Sequence, residues 1–215
     1  MIPYASRTGT RRNLEALRSH GWNLLVSARG PHRNEGFRYG VDNGAWTSFQ
    51  KGEPFNDAAF LKVLSSLGAD AEWIVVPDVV GDRSASLRMT EKWLPKLEGH
   101  PRLLVALQDG MDLFDVLPWL GPQCGLFLGG TTEWKLENMP RWGRVSRALH
   151  CYYHVARVNT ARRILLARRS GAHSIDGTSA SRFSVNVPSL SAAVFGDYPG
   201  CAPRVDGWFK GREAT

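Results

Sequence analysis

Short apolar runs alternate with amphipathic segments from one end of the chain to the other. Residues 2–5, 22–28, 38–41, 73–76, 103–107, 125–128, 151–158 and 172–175 read as strands, each apolar and bounded by polar or glycine-rich junctions. Between them lie helical patterns at residues 8–19, 56–67, 83–97, 112–120, 134–149 and 160–170. In residues 56–67 the apolar positions Phe60, Leu61, Val63, Leu64 and Leu67 form one helical face, and Gly68 closes it. Leu14 and Leu17 mark the first helix, stopped by Gly21, and Ile164, Leu165 and Ala167 mark the last of the six. Strands that alternate with helices imply right-handed crossovers and a parallel sheet. About eight such units in 215 residues predict an α/β fold, a compact single-domain (β/α)₈ TIM barrel with short loops. A doubly wound open sheet is the competing arrangement. The barrel is expected to occupy residues 1–187. Residues 188–215, rich in Pro, Gly and Ser, are expected to form an irregular tail packed on it, with a weak helix at residues 189–195.

Composition narrows the function classes. Hydrophobic residues are 43% of the chain and charged residues 22%, a balance suited to a soluble globular domain. Apolar runs such as residues 73–77 and 103–107 are far too short to span a bilayer. The first residues, Met1-Ile2-Pro3-Tyr4, lack a basic stretch followed by an apolar one, so no secretory signal is expected. Three widely spaced cysteines, Cys124, Cys151 and Cys201, suit neither a disulfide framework nor a compact zinc site. These features point to a cytoplasmic protein, bacterial or in the cytoplasm of a host cell if phage-encoded, with no membrane partner. The net charge of +7, mostly from arginine, favours a polyanionic partner, nucleic acid first.

Polar residues fall at the ends of the predicted strands: Asp42, Asp78, Gln108, the Gly129-Gly130 pair and Asp176. In a barrel all of these ends share the C-terminal rim, where active sites are built. A single Asp after a strand is ordinarily a helix N-cap. Three carboxylates on one rim, each in a Gly-rich or Pro-flanked setting, make an acid/base or nucleophile set. In Asp42-Asn43-Gly44-Ala45-Trp46, the Asn-Gly pair permits a left-handed backbone just after the carboxylate, and Trp46 offers a flat face for stacking on a base. At Gly129-Gly130 the missing side chains let a planar ligand approach the backbone. Neither HExxH nor GxSxG occurs, so zinc-protease and serine-hydrolase chemistry have no support. His154 and His173 fall near strand ends, where a structural role is the default reading for a lone histidine.

With these residues in place, the chain resembles the tRNA-guanine transglycosylase superfamily, and within it the small DpdA-type DNA-guanine transglycosylases of phage and bacteria. The similarity runs in order from Asp42 to Asp176. The family's Asp-Ser-Gly-Gly-aromatic motif is matched by Asp42-Asn43-Gly44-Ala45-Trp46, its middle-strand Asp by Asp78 and its following Gln by Gln108. Gly129-Gly130 with Glu133 matches its Gly-Gly loop. Asp176, in Gly171-Ala172-His173-Ser174-Ile175-Asp176, matches its nucleophile. The tRNA enzymes carry a Cys/His zinc subdomain after the nucleophile. Here only Cys201 follows Asp176, so the resemblance implies a metal-free enzyme without that subdomain and without a cofactor, acting on DNA rather than tRNA.

The resemblance implies base exchange. Asp176 attacks C1′ of a guanine nucleotide, guanine leaves with proton assistance from Asp42 or water, and a free 7-deazaguanine then displaces the ester with net retention. Asp78, Gln108, Gly129, Gly130 and Trp46 would hold the base, which must leave the helical stack. Arg157, Arg162, Arg163 and Arg182 would hold phosphates; the plainer reading of such arginines is a solvated helix face. A partner protein is compatible with this scheme. A zinc-free tRNA enzyme, an N-glycoside hydrolase and a non-catalytic nucleic-acid-binding barrel are the competing readings.

Overall fold

A computed structural model describes residues 1–196. Its eight strands form one closed barrel in chain order: β1 (Ile2–Ser6), β2 (Asn23–Ser27), β3 (Tyr39–Asp42), β4 (Ile74–Val75), β5 (Leu103–Leu107), β6 (Cys124–Leu128), β7 (Tyr153–Val155) and β8 (Ser174–Gly177). Every neighbour pair is parallel, and β8 returns to β1 with Asp176 opposite Tyr4. Closure excludes the open doubly wound sheet and establishes the (β/α)₈ barrel.

Nine α-helices accompany the strands among the described residues: α1 (Arg11–Ser19), α2 (Ala45–Gln50), α3 (Asp57–Leu67), α4 (Arg83–Trp93), α5 (Leu113–Val116), α6 (Thr132–Ala148), α7 (Ala161–Arg169), α8 (Ser179–Arg182) and α9 (Val187–Phe195). Side-chain caps start several of them: Asn56 accepts from the Ala59 N–H, Asp82 from Ala85 and Thr131 from Trp134. No described helix is long and apolar enough to cross a membrane.

Three elements differ from the sequence expectation. Short helices α2 and α8 closely follow β3 and β8, where no helix was predicted, because at six and four residues they leave little periodicity to read. Strand β7 spans three residues instead of 151–158, because Arg157 takes a left-handed φ of 55° and turns the chain away from the sheet. The C-terminal segment follows the expectation of a helix near residues 189–195. It enters a regular helix, α9, which buries Val187, Leu190, Ala193 and Val194 and receives the Trp22 indole N–H on Ser191 Oγ at 2.8 Å. The rest of the expected tail, residues 197–215 with Cys201, lies outside the described residues.

Side-chain alternation divides the core in two. One set of strand residues packs outward against the helices. The alternate set fills the barrel: Tyr4, Leu25, Trp73, Val75, Leu104 and Ala106, with Phe127 and Tyr152 against them. The same parity, carried to the C-terminal ends of the strands, turns Ser27, Asp42, Gln108, Gly129 and Asp176 into the mouth, where all five line one cavity.

Candidate active site

The mouth encloses a cavity of about 500 Å³, large enough for a nucleotide-sized ligand. Asp42, Asp78 and Asp176 all line it, together with Gln108, Gly129, Gly130, Trp46, Arg157 and Arg182. The strand-end residues singled out in the sequence therefore meet in one place. Arg162 and Arg163 do not: they stand on α7 outside the cavity lining, Arg162 exposed. Glu133 is likewise exposed, on the first turn of α6.

Asp42 is the last residue of β3 and faces the cavity with a partly exposed edge. Its carboxyl is pushed up to about 7, first by burial, opposed by a hydrogen bond from Ser27, then by the charges of Asp176 and Asp78. The following turn holds it there. Gly44 takes a φ of 83° as the first residue of the turn into α2, and a side chain at this position would meet Arg29 Cγ at 2.6 Å.

Asp78 follows β4 and is almost wholly buried. Both of its oxygens accept from amides, Oδ1 from Asn43 Nδ2 at 2.7 Å and Oδ2 from Gln108 Nε2 at 2.6 Å. Burial raises its carboxyl to about 6, against the pull of these two bonds and of Arg157. The Gln108 carboxamide is engaged at both ends, since its oxygen accepts from the Gly81 N–H at 3.1 Å. Its main structural effect is to orient Asp78, leaving one amide hydrogen for a ligand. Asn43 plays the matching part from the other side: it also donates to Val76 O at 2.9 Å and accepts from the Ala45 N–H at 2.8 Å.

Asp176 sits inside β8 and is 4% exposed. Its Oδ2 lies 2.9 Å from His154 Nε2, and its Oδ1 accepts the Arg157 backbone N–H at 3.0 Å. His154 is fully buried, stacked on Phe127 with ring centroids 4.9 Å apart, and its Nδ1 lies 2.7 Å from Ser174 Oγ. With Asp176 ionised, Nε2 carries the imidazole proton and Nδ1 accepts from the serine. The carboxylate is thus clamped in one orientation by two donors.

Arg157 belongs to this floor more than to an outer basic face. Its guanidinium donates to Gly130 O and lies over the Trp46 ring at 4.1 Å. Burial lowers its pKa, and the surrounding carboxylates of Asp176, Asp78, Asp109 and Asp42 oppose that shift. Trp46, on α2, also packs beside Phe49 with centroids 5.6 Å apart. A base reaching Trp46 therefore meets a tryptophan–arginine pair and not a bare ring. Gly129 packs close to β5, where a side chain would come within 2.9 Å of Leu107 O. The Gly130 carbonyl is taken by Arg157, and its N–H makes no hydrogen bond among the described residues.

Sequence reasoning missed Ser27 and Lys135, gave His154 a structural role by default and read Asn43 only as part of the turn after Asp42. Lys135 on α6 is 3% exposed, donates to Ala156 O, and has its pKa lowered to about 8, chiefly by burial. It braces the turn that presents the Arg157 N–H to Asp176. The alternation signal for His154 was present, since it shares strand parity with Tyr152 on one side and the mouth on the other.

No family model and no curated protein matches the chain. Among solved structures it is similar to a cube-shaped, highly porous protein cage designed by fusing symmetric oligomeric domains. The TM-score is 0.56 at 11% identity, covering 94% of this chain and 73% of that one. This likeness speaks to the barrel fold alone.

Proposed function

We propose that the protein is a DNA-guanine transglycosylase, exchanging guanine in DNA for a 7-deazaguanine base through a covalent Asp176–nucleotide ester. The observation that carries the reading is the division of labour among three carboxylates in one cavity. Asp176 is clamped by two donors, Asp78 is held by two amides, and Asp42 is poised to exchange a proton near neutral pH.

In this scheme Asp176 attacks C1′ as the bond to guanine N9 breaks. Its bonds to His154 and the Arg157 N–H keep one lone pair aimed and stabilise the carboxylate when it later leaves. Protonated Asp42 gives its proton to the departing guanine and, as carboxylate, takes one from the incoming base. Asp78 accepts from the N1–H and 2-amino group of guanine, donors that a guanine analogue shares and adenine lacks. The Gly130 N–H is a free donor for an acceptor on the base edge. Two displacements at C1′ return the original anomer. The target nucleotide must stand out of the stack to reach a cavity of this depth.

The test is incorporation of labelled guanine into single-stranded DNA, duplex DNA and bulk tRNA side by side, with Asp176→Ala as control. Label in DNA that disappears with the variant supports the reading. Label in tRNA alone would transfer the activity to the RNA substrate. Guanine released without incorporation would make the protein a hydrolase, and persistence of exchange in the variant would remove Asp176 as nucleophile.

A further inference from the structure

Beside the main cavity lies a second, open cleft of about 460 Å³, lined by residues of the β1–α1 and β8–α8 connections and sharing Ser6, Arg7, Thr178 and Arg182 with the mouth. Its remaining lining residues are Thr8, Thr10, Asn13 and Ser181, so the wall holds two guanidinium groups, hydroxyls and an amide, and no carboxylate.

Half of its side chains keep a donor to spare: Ser181 Oγ donates to Thr178 O at 3.0 Å and Thr178 Oγ1 to Asn159 Oδ1 at 3.4 Å, but the donors of Arg182, Ser6, Thr8 and Thr10 remain available among the described residues. Arg182 is exposed and pairs with no acidic group among the described residues. Arg7 pairs with Glu35 through one terminal nitrogen at 2.5 Å, while its buried Nε has no partner among the described residues. Among the described residues the Ser6, Thr8 and Thr10 hydroxyls donate to nothing; Thr8 Oγ1 only accepts, from the Thr10 N–H at 3.3 Å, and Thr10 makes no side-chain cap on α1. Asn13 is pinned to Ser181 O at 2.6 Å, which ties the two connections into one wall. A surface with spare hydroxyl donors, one guanidinium free of any acidic partner among the described residues and a second held in place by Glu35, with no carboxylate in its lining, selects a ligand that is negatively charged and purely an acceptor.

We infer that this cleft is a phosphodiester subsite, seating the backbone phosphate next to the nucleotide whose base enters the main cavity. The inference rests on the transglycosylase reading for its polynucleotide, and on the cleft alone for its phosphate. Thr178 stands two residues beyond Asp176 and lines both spaces. A phosphate here is therefore placed within a sugar's reach of the reacting C1′. A free base needs no such site, whereas a polynucleotide does. Phosphate contacts of this kind position a substrate without reading its sequence.

Amide chemical shifts and affinity would be followed for deoxyguanosine, a single-stranded deoxytrinucleotide with central guanine, and inorganic phosphate. Each would be added to the full chain and to Arg182→Gln, whose exposed position leaves the fold intact. The expected result is that the trinucleotide shifts Thr8, Thr10 and Thr178. Arg182→Gln should weaken it about tenfold and lower its logarithmic salt slope by about 0.7. Deoxyguanosine, which carries no phosphate, should lose less affinity than the trinucleotide, since Arg182 lines both spaces. Shifts from inorganic phosphate but none from the trinucleotide would overturn the polynucleotide assignment in favour of a free-phosphate site. Equal trinucleotide affinity in the two proteins would overturn the subsite itself. Retained cleft binding with no base exchange on any substrate would refute the proposed function and leave the subsite standing.

Discussion

Replacing Asp42 by Asn should stabilise the protein, and increasingly so as pH rises. The Asp42 carboxyl is moved from its ordinary 3.8 to about 7 by burial and by the charges of Asp176 and Asp78. Below pH 4 the group is protonated in folded and unfolded chains alike and contributes nothing to pH dependence. Between about 4 and 7 the unfolded chain releases the proton while the folded one keeps it, so stability falls with rising pH. Above 7 the cost is complete. A shift from 3.8 to about 7 corresponds to about 4 kcal/mol as an upper bound. The partly exposed edge of Asp42 lets water relieve some of this, and about 2 kcal/mol is the expected gain at pH 8. Asparagine never ionises, nearly matches the shape, and its amide oxygen still accepts from Ser27 and the Gly44 N–H. Urea unfolding of both proteins at intervals from pH 4 to 8 reads the difference directly. A variant equally shifted at every pH, or with the same pH slope as the parent, would refute the claim that Asp42 is held protonated against its solution preference. The same substitution should abolish proton transfer, so stability and activity should move in opposite directions.

Base exchange should show a narrow pH optimum: kcat/KM rises as Asp78 ionises near 6 and falls as Asp42 loses its proton near 7, and a flat profile from pH 6 to 9 would exclude Asp42 as the acid. His154→Phe should lower kcat about 10²-fold with little change in KM, because it removes one of the two donors holding Asp176; equal losses in both parameters would point to a folding defect instead. Gly143→Ala should destabilise the protein by about 3 kcal/mol or more, since the new methyl carbon would lie 1.7 Å from Ser170 O where α6 crosses the start of the α7 exit; an unchanged melting temperature would contradict that packing.

Much of the site was legible before any coordinates. Asp42, Asp78, Gln108, Gly129, Gly130 and Asp176 share one rim because each lies at or just beyond the C-terminal end of a strand, and parallel strands joined by helices put all such ends on one side. Their roles were less legible. Gln108 is a plausible base reader in the sequence, yet its carboxamide is largely spent on Asp78 and Gly81. Arg157 reads from the sequence as a phosphate-holding arginine; its left-handed backbone instead folds it over Trp46 and against Asp176. Asn43 and His154 gained roles from partners 35 and 22 residues away in the chain, at separations that no local spacing rule encodes.

Periodicity determined the alternating parallel α/β class and favoured the barrel, because eight apolar runs separated by amphipathic helices leave few ways to bury every apolar face, while closure of β8 on β1 in the structure excluded the open sheet. It also placed the polar strand ends on one rim. Tertiary structure decided which side chains hold which. Whether a carboxylate on that rim is clamped, amide-bound or pushed toward neutral depends on burial and on neighbours from other strands. Those are properties of the closed interior, where low dielectric makes each donor and each charge count, and an extended chain does not have them.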